Sequence, residues 1–100
     1  MDTPLHISTK TSNKLKEKHN LTEDEVQSIY KKYYGILLED IREKNRTYPP
    51  TEWFISRTSE GGLLKICIIV REDLGIAFLK TCYIPDKNEV KIFKKKGGII

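Results

Sequence analysis

Histidine, cysteine, methionine and tryptophan are scarce in this chain of 100 residues, which holds two, two, one and one of them. Cys67 and Cys82 each sit inside an apolar run, where a cysteine serves as a small hydrophobe. Neither their number nor their spacing makes a zinc site or a disulfide framework. No spacing of His, Cys or paired acids suits a metal, so neither a metal nor a cofactor is expected. Long apolar runs are missing too, and none approaches the roughly 18 residues of a membrane-spanning helix. The opening residues, Met1 to His6, lack the basic and apolar regions of a secretory signal. These absences lead us to expect a reduced, cytoplasmic protein with no membrane attachment.

What is present reads as a globular protein, with 38% hydrophobic and 32% charged residues. The length suits one domain over residues 1–100, large enough for a modest core, with residues 1–10 and 95–100 as flexible ends. The net charge of +4 is unevenly placed. Lys87, Lys91, Lys94, Lys95 and Lys96 face one acid, Glu89, and Lys10, Lys14, Lys16 and Lys18 face Glu17. Lysine clusters of this size suit a phosphate backbone or an acidic protein, and equally suit a solvated face.

Periodicity divides the chain into a helical and an extended part. Leu5 to Ile7 can form a short edge strand, and Thr11 or Ser12 can cap a helix running to about His19. Thr22 and Glu25 have the spacing of a capping box, with Leu21 and Val26 placed for a hydrophobic staple. Val26, Ile29, Tyr30 and Tyr33 then recur on one helical face, and Gly35 is expected to end that helix in a left-handed conformation. Beyond it the period changes. Trp53 to Ile55, Leu63 to Val70 and Ile76 to Tyr83 read as strands joined by short turns, hence an antiparallel meander. The two long runs are apolar on both faces and belong in the middle of the sheet. Val90 to Phe93 fits a last strand or a short helix. The expected fold is α+β: two N-terminal helices packed on one face of a three- to five-stranded antiparallel sheet.

Between Asp40 and Thr51 lies a polar loop carrying Arg42, Glu43, Arg46, Thr47 and the pair Pro49–Pro50. A prolyl-pinned polar loop between apolar strands is a common place for working groups, although these side chains can also serve to hydrogen-bond the loop's own backbone.

Four segments carry a resemblance: Lys18-His19-Asn20-Leu21-Thr22 with Glu25-Val26, Asp40 through Ile55, Leu64 through Ile68, and Lys80-Thr81-Cys82-Tyr83 with Pro85. Together with the order of elements they resemble the small ribonuclease toxins of the RelE/ParE superfamily, its BrnT-like branch in particular, over about residues 12 to 93. Short bacterial proteins with these segments are often labelled ADP-ribosyl-(dinitrogen reductase) hydrolases. Such hydrolases look like large all-helical enzymes with a two-metal carboxylate cluster, so that activity is not carried over to a short, strand-rich chain. Two departures stand out: Ile41 is inserted between Asp40 and Arg42, and Asn45 occupies the position of a histidine.

The toxin resemblance implies metal-independent RNA cleavage, in which a ribose 2′-hydroxyl attacks the neighbouring phosphate, and control by a small antitoxin. Cations would steady charge on the phosphoryl oxygens, which makes Arg57, Lys65, Lys80 and Arg46 the candidates, the first three expected together on the concave side of the sheet. Tyr83 and His19 are the candidate proton-transfer groups, with Glu43 and Glu52 further out. Each has a plainer role: Lys65 and Lys80 as neighbours on the sheet's solvent side, Arg57 in a surface pair with Glu52 or Glu60, His19 as a helix cap, Trp53 as core. The rival function is a non-catalytic interaction protein, of the immunity or inhibitor kind, on the same scaffold. Plain nucleic-acid binding through the lysine clusters, RNA included, is the third. The oligomeric state is left open.

Overall fold

The computed structural model describes residues 1–100 apart from the side chain of residue 45. Along the chain run β1 (Leu5–His6), α1 (Thr9–His19), α2 (Glu23–Lys32), β2 (Leu38–Glu39), a 3-10 turn (Glu43–Asn45), β3 (Thr51–Arg57), β4 (Leu63–Arg71), β5 (Ile76–Tyr83) and α3 (Lys87–Lys95). The strands form one sheet in the order β1-β5-β4-β3-β2. β3, β4 and β5 make the expected antiparallel meander, and β2 adds antiparallel to β3. β1 runs parallel to β5, so the sheet is mixed rather than antiparallel. No hairpin joins those two strands, and nothing in the connection dictates their relative sense. Both edge strands are only two residues long, a form that limits pairing with other chains.

The helix boundaries follow local hydrogen bonding. α1 starts earlier than expected, because the Ser8 hydroxyl accepts the Thr11 N–H at 3.2 Å. Ser12 is then inside the helix and buried beside Leu15. Asn20, at φ 51°, ends it in the left-handed region. α2 is capped as expected, Thr22 Oγ1 accepting the Glu25 N–H at 3.2 Å. Its end is not the expected one. The helix stops at Lys32, and Tyr33 turns extended so that its ring stacks on Phe54 at 3.9 Å. Gly35 is not in the left-handed region; its lack of a Cβ lets the Tyr33 hydroxyl pass close by.

The last segment resolves as a helix of nine residues. Asp86 accepts the Glu89 N–H at 2.7 Å, and Glu89 Oε1 accepts the Asp86 N–H at 3.0 Å. This reciprocal capping box starts α3 right after Pro85. α3 then buries Phe93 completely, its ring 6.0 Å from that of Trp53. Successive strand residues point to opposite faces. With Tyr33 on Phe54 and Phe93 on Trp53, α2 and α3 therefore cover opposite faces of the sheet. The expected two-layer arrangement needs that correction: a third helix closes the second face, and Ile55 on that face is fully buried. Among the described residues no helix is long and apolar enough to cross a membrane.

Phe93 carries the docking of α3. Phe93→Ala is expected to lower stability by about 3–5 kcal/mol through lost burial and a cavity, read as a shifted urea midpoint. Ile84→Ala, at an exposed position, should change it by less than about 0.5 kcal/mol.

Candidate active site

Lys65 stands opposite Ile55 on one side and Tyr83 on the other, at the centre of the sheet. The register puts its side chain on the Trp53 face, under α3. Only 2% of the residue is exposed. Its ammonium makes a short ion pair with Glu89 of α3 and donates to the Tyr83 hydroxyl at 3.0 Å. Tyr83 in turn donates to the same Glu89 oxygen at 2.9 Å. The ammonium also lies 4.4 Å from the centre of the Trp53 ring, a cation–π distance. Lys65, Tyr83 and Glu89 thus close a triangle over an aromatic floor.

A second ion pair borders it. Arg42 grips Asp40 through two nitrogens, at 3.0 and 2.9 Å. Asp40 is buried, whereas the Arg42 side chain is half exposed. Tyr83 lies close enough to act on the Arg42 guanidinium. Between this corner and α3 opens a groove of about 520 Å³, lined by Ile41, Arg42, Trp53, Lys65, Glu89 and Ile92 among others. A larger hollow of about 970 Å³ lies between α2 and the far end of β3. Asp24, Glu25, Lys32 and Arg57 line it, but no ion pair joins them among the described residues, whereas the smaller groove holds bonded acid and base groups.

Burial and pairing set the protonation states. Burial of Lys65 works against its charge, but the hydrogen bonds to Glu89 and Tyr83 outweigh it and hold the ammonium above its usual range. Burial likewise opposes the Glu89 carboxylate, yet Lys65, the Asp86 N–H and Tyr83 together keep it below the usual glutamate range. Burial raises Tyr83, so its hydroxyl stays protonated at neutral pH. The hydrogen bond from Arg42 lowers Asp40. Cys67, next to Lys65 on the strand face, is pushed up to about 11 by burial, and Cys82 to about 12. Both thiols stay protonated and are poor nucleophiles. Among the described residues no group of three or more His, Cys, Asp or Glu is placed to hold a metal ion.

The candidates named from sequence are dispersed. Lys65 and Tyr83 meet, as described. Lys80 is not their neighbour: a bulge between Cys67 and Ile68 leaves it unopposed, and its ammonium reaches Thr51 Oγ1 at 3.2 Å. Arg57 sits at the other end of β3, six residues from Thr51, or roughly 20 Å along a strand. There it donates to the Gly61 carbonyl at 2.9 Å and braces the β3–β4 turn, rather than pairing with Glu52 or Glu60. The expected grouping of Arg57, Lys65 and Lys80 therefore does not form. Arg46 is exposed in the loop, where Thr47 Oγ1 donates to the Pro49 carbonyl at 2.7 Å. His19 is exposed at the end of α1, beside Leu21, Glu60 and Ile84. Glu52 faces away from Lys65, and burial together with Glu39 and Glu72 raises its pKa. The Asn45 side chain lies outside the described residues.

Glu89 and Asp40 belong to the cluster without having been singled out, and Arg42 had been named only as a polar-loop residue. Glu89 had a signal: Asp86-Lys87-Asn88-Glu89 after Pro85 has capping-box spacing, and a helix starting there aims its first-turn acid at the sheet. Compared with family models, with curated proteins and with solved structures, the chain matches none.

Glu89 keeps the ammonium of Lys65 from being a lone buried charge. Glu89→Gln is expected to cost about 3 kcal/mol, the low end for a broken buried pair, since Glu89 keeps 15% side-chain exposure. The acid limb carries the sign. Glu89 titrates below its ordinary 4.5 when folded. Its contribution is complete above that value and is lost as pH falls through the lower folded one. Urea midpoints measured between neutral and acid pH should fall less steeply for the variant.

Proposed function

We propose that the protein is a metal-independent endoribonuclease of the toxin type, working at the groove beneath α3 and held in check by a small protein partner. The observation that carries this reading is the triangle of Lys65, Tyr83 and Glu89 beside the half-exposed Arg42. It supplies a cation and a proton acceptor on the groove wall, with a proton donor hydrogen-bonded to both. The order of two helices followed by a meander, one part of the RelE-like resemblance, also supports it.

The chemistry divides among these groups. Arg42, at the rim, binds the scissile phosphate, for which a guanidinium fork is well shaped. The ribose 2′-oxygen attacks phosphorus, and its proton passes to the Glu89 carboxylate. Lys65, held protonated by its surroundings, faces the charge that builds on the phosphoryl oxygens. Tyr83 gives its proton to the departing 5′-oxygen as the P–O5′ bond breaks, and recovers one from Glu89 across their 2.9 Å hydrogen bond. The products are a 2′,3′-cyclic phosphate and a 5′-hydroxyl, and the residues return to their starting protonation.

One observation favours a second reading, the non-catalytic interaction protein. Lys65 is already neutralised by Glu89 under α3, and Arg57 and Lys80 are too far apart to share a phosphate. On that reading the groove, with Ile41 and Ile92 exposed on its sides, is a partner surface.

Controlled expression followed by mapping of RNA 5′ ends separates the two. The nuclease predicts growth arrest and new ends for the wild type. Tyr83→Phe and Arg42→Ala should each reduce cleavage about 10²-fold or more, the usual scale for a lost acid or charge-stabilising group. Cleavage by purified protein should persist in chelator. Normal growth and intact RNA from a folded protein would sink the nuclease and leave the interaction reading.

A further inference from the structure

Two lysine clusters are equivalent in sequence, and the fold makes them different. In α3, Lys87, Lys91, Lys94 and Lys95 recur at i, i+4, i+7 and i+8, which places them on one helical face. That face is opposite Phe93 and Glu89, the residues turned to the sheet. All four are exposed, and none forms an ion pair among the described residues. The only acid inside α3, Glu89, is withdrawn to Lys65. The stripe covers eight rises, or about 12 Å. Residues 87–96 hold five lysines against one acid, an excess equal to the whole chain's +4.

α1 lacks this arrangement. Lys10, Lys14 and Lys18 share a face with Glu17, while Lys16 falls elsewhere on the helix. α1 also contributes nothing to the groove, whereas α3 forms one wall of it through Asn88, Glu89, Ile92 and Lys96.

We infer that the outer face of α3 is the RNA-docking surface, which holds the phosphate backbone of a single strand and leads it over Lys96 into the groove. Charge complementarity carries the argument: an uninterrupted cationic stripe runs along the outer face of the helix whose inner side, with Lys96, walls the cavity, and a polyanion is the partner whose charges repeat along such a stripe. The inference rests on the nuclease reading for its choice of RNA. α3 then has two faces with two tasks, an inner one that completes the site and an outer one that delivers substrate.

The test is equilibrium binding of a short single-stranded RNA with 2′-O-methylated riboses, measured across a salt series. Wild-type affinity should fall with salt at a slope of about 0.7 per phosphate neutralised. Replacing Lys87, Lys91, Lys94 and Lys95 by glutamine should make that slope shallower by about three. Changing Lys10, Lys14 and Lys18 to glutamine should leave it nearly unaltered. Lys91→Glu alone, at the centre of the stripe, should flatten the slope by about one and guards against misfolding of the multiple variant. An unchanged slope in the α3 variants, an equal loss in the α1 variant, or no salt-dependent binding by the wild type would each overturn the inference. The probe has no free 2′-hydroxyl, so this outcome is independent of whether the protein cleaves RNA.

Discussion

A protonated lysine at the middle of the sheet is the constraint around which this structure is arranged. Removing an ammonium from water costs several kcal/mol unless opposite charge and hydrogen bonds meet it. At Lys65 the strand neighbours supply only part of that: Tyr83 offers a hydroxyl and Trp53 a ring face. The compensating charge arrives from α3, through Glu89. The helix must therefore form and dock for the sheet's centre to be tolerable. Asp86 starts it and Phe93 seats it. Glu89 uses one oxygen in the capping box and the other on Lys65 and Tyr83. One carboxylate thus links the helix start, the sheet and the site.

The ion pair is a poor source of net stability, because desolvation offsets most of its attraction. Burial of Phe93 against Trp53 is the larger favourable term, about 1.5–3 kcal/mol for an apolar side chain of this kind. Apolar contact is non-directional, however, and tolerates rotation of a helix about its axis. A charged pair with a third partner does not. In this view Phe93 supplies the attraction and Glu89 selects the setting. The same division appears at the loop, where Asp40 is buried, bridged to Arg42, and also accepts the Arg42 backbone N–H at 3.1 Å. Both devices orient polar groups toward a single groove.

The sequence made the helical half and the meander legible because their signals are local. Thr22 and Glu25 mark a cap, Val26 and Tyr30 a buried face, and the runs at 63–70 and 76–83 can only be strands apolar on both sides. The sense of β1 was not legible, since it depends on pairing with a strand some seventy residues on. The site was harder for a different reason. Lys65 looked like a solvent-side lysine because strand periodicity says which face a residue takes, not what covers that face. The covering helix was hidden in a segment whose apolar content, Val90, Ile92 and Phe93, also fits a strand. Lys80 looked like its neighbour because one extra residue in β5 cannot be seen in a pattern of alternating side chains. The loop's role was half visible: Thr47 does brace the double proline, but the Asp40–Arg42 bridge depends on burial that the local sequence does not announce.

The position of α3 also bears on how the two functional readings relate. If Glu89 remains on Lys65 while substrate binds, the ammonium has one N–H left beyond those on Glu89 and Tyr83, and Arg42 must do most of the binding. If a phosphate displaces Glu89, Lys65 gains a full anionic partner, and the freed carboxylate becomes a stronger base as it loses the ammonium that lowered its pKa. Either route keeps Lys65 paired throughout, as its burial demands. The second route also loosens α3 at its first turn, and a polyanion lying along the lysines of its outer face would then hold the helix in place from the other side. An interaction protein has no use for such an exchange; there the triangle would act as a rigid clamp. The same buried charge is compatible with both, and the difference lies in whether Glu89 has a competitor.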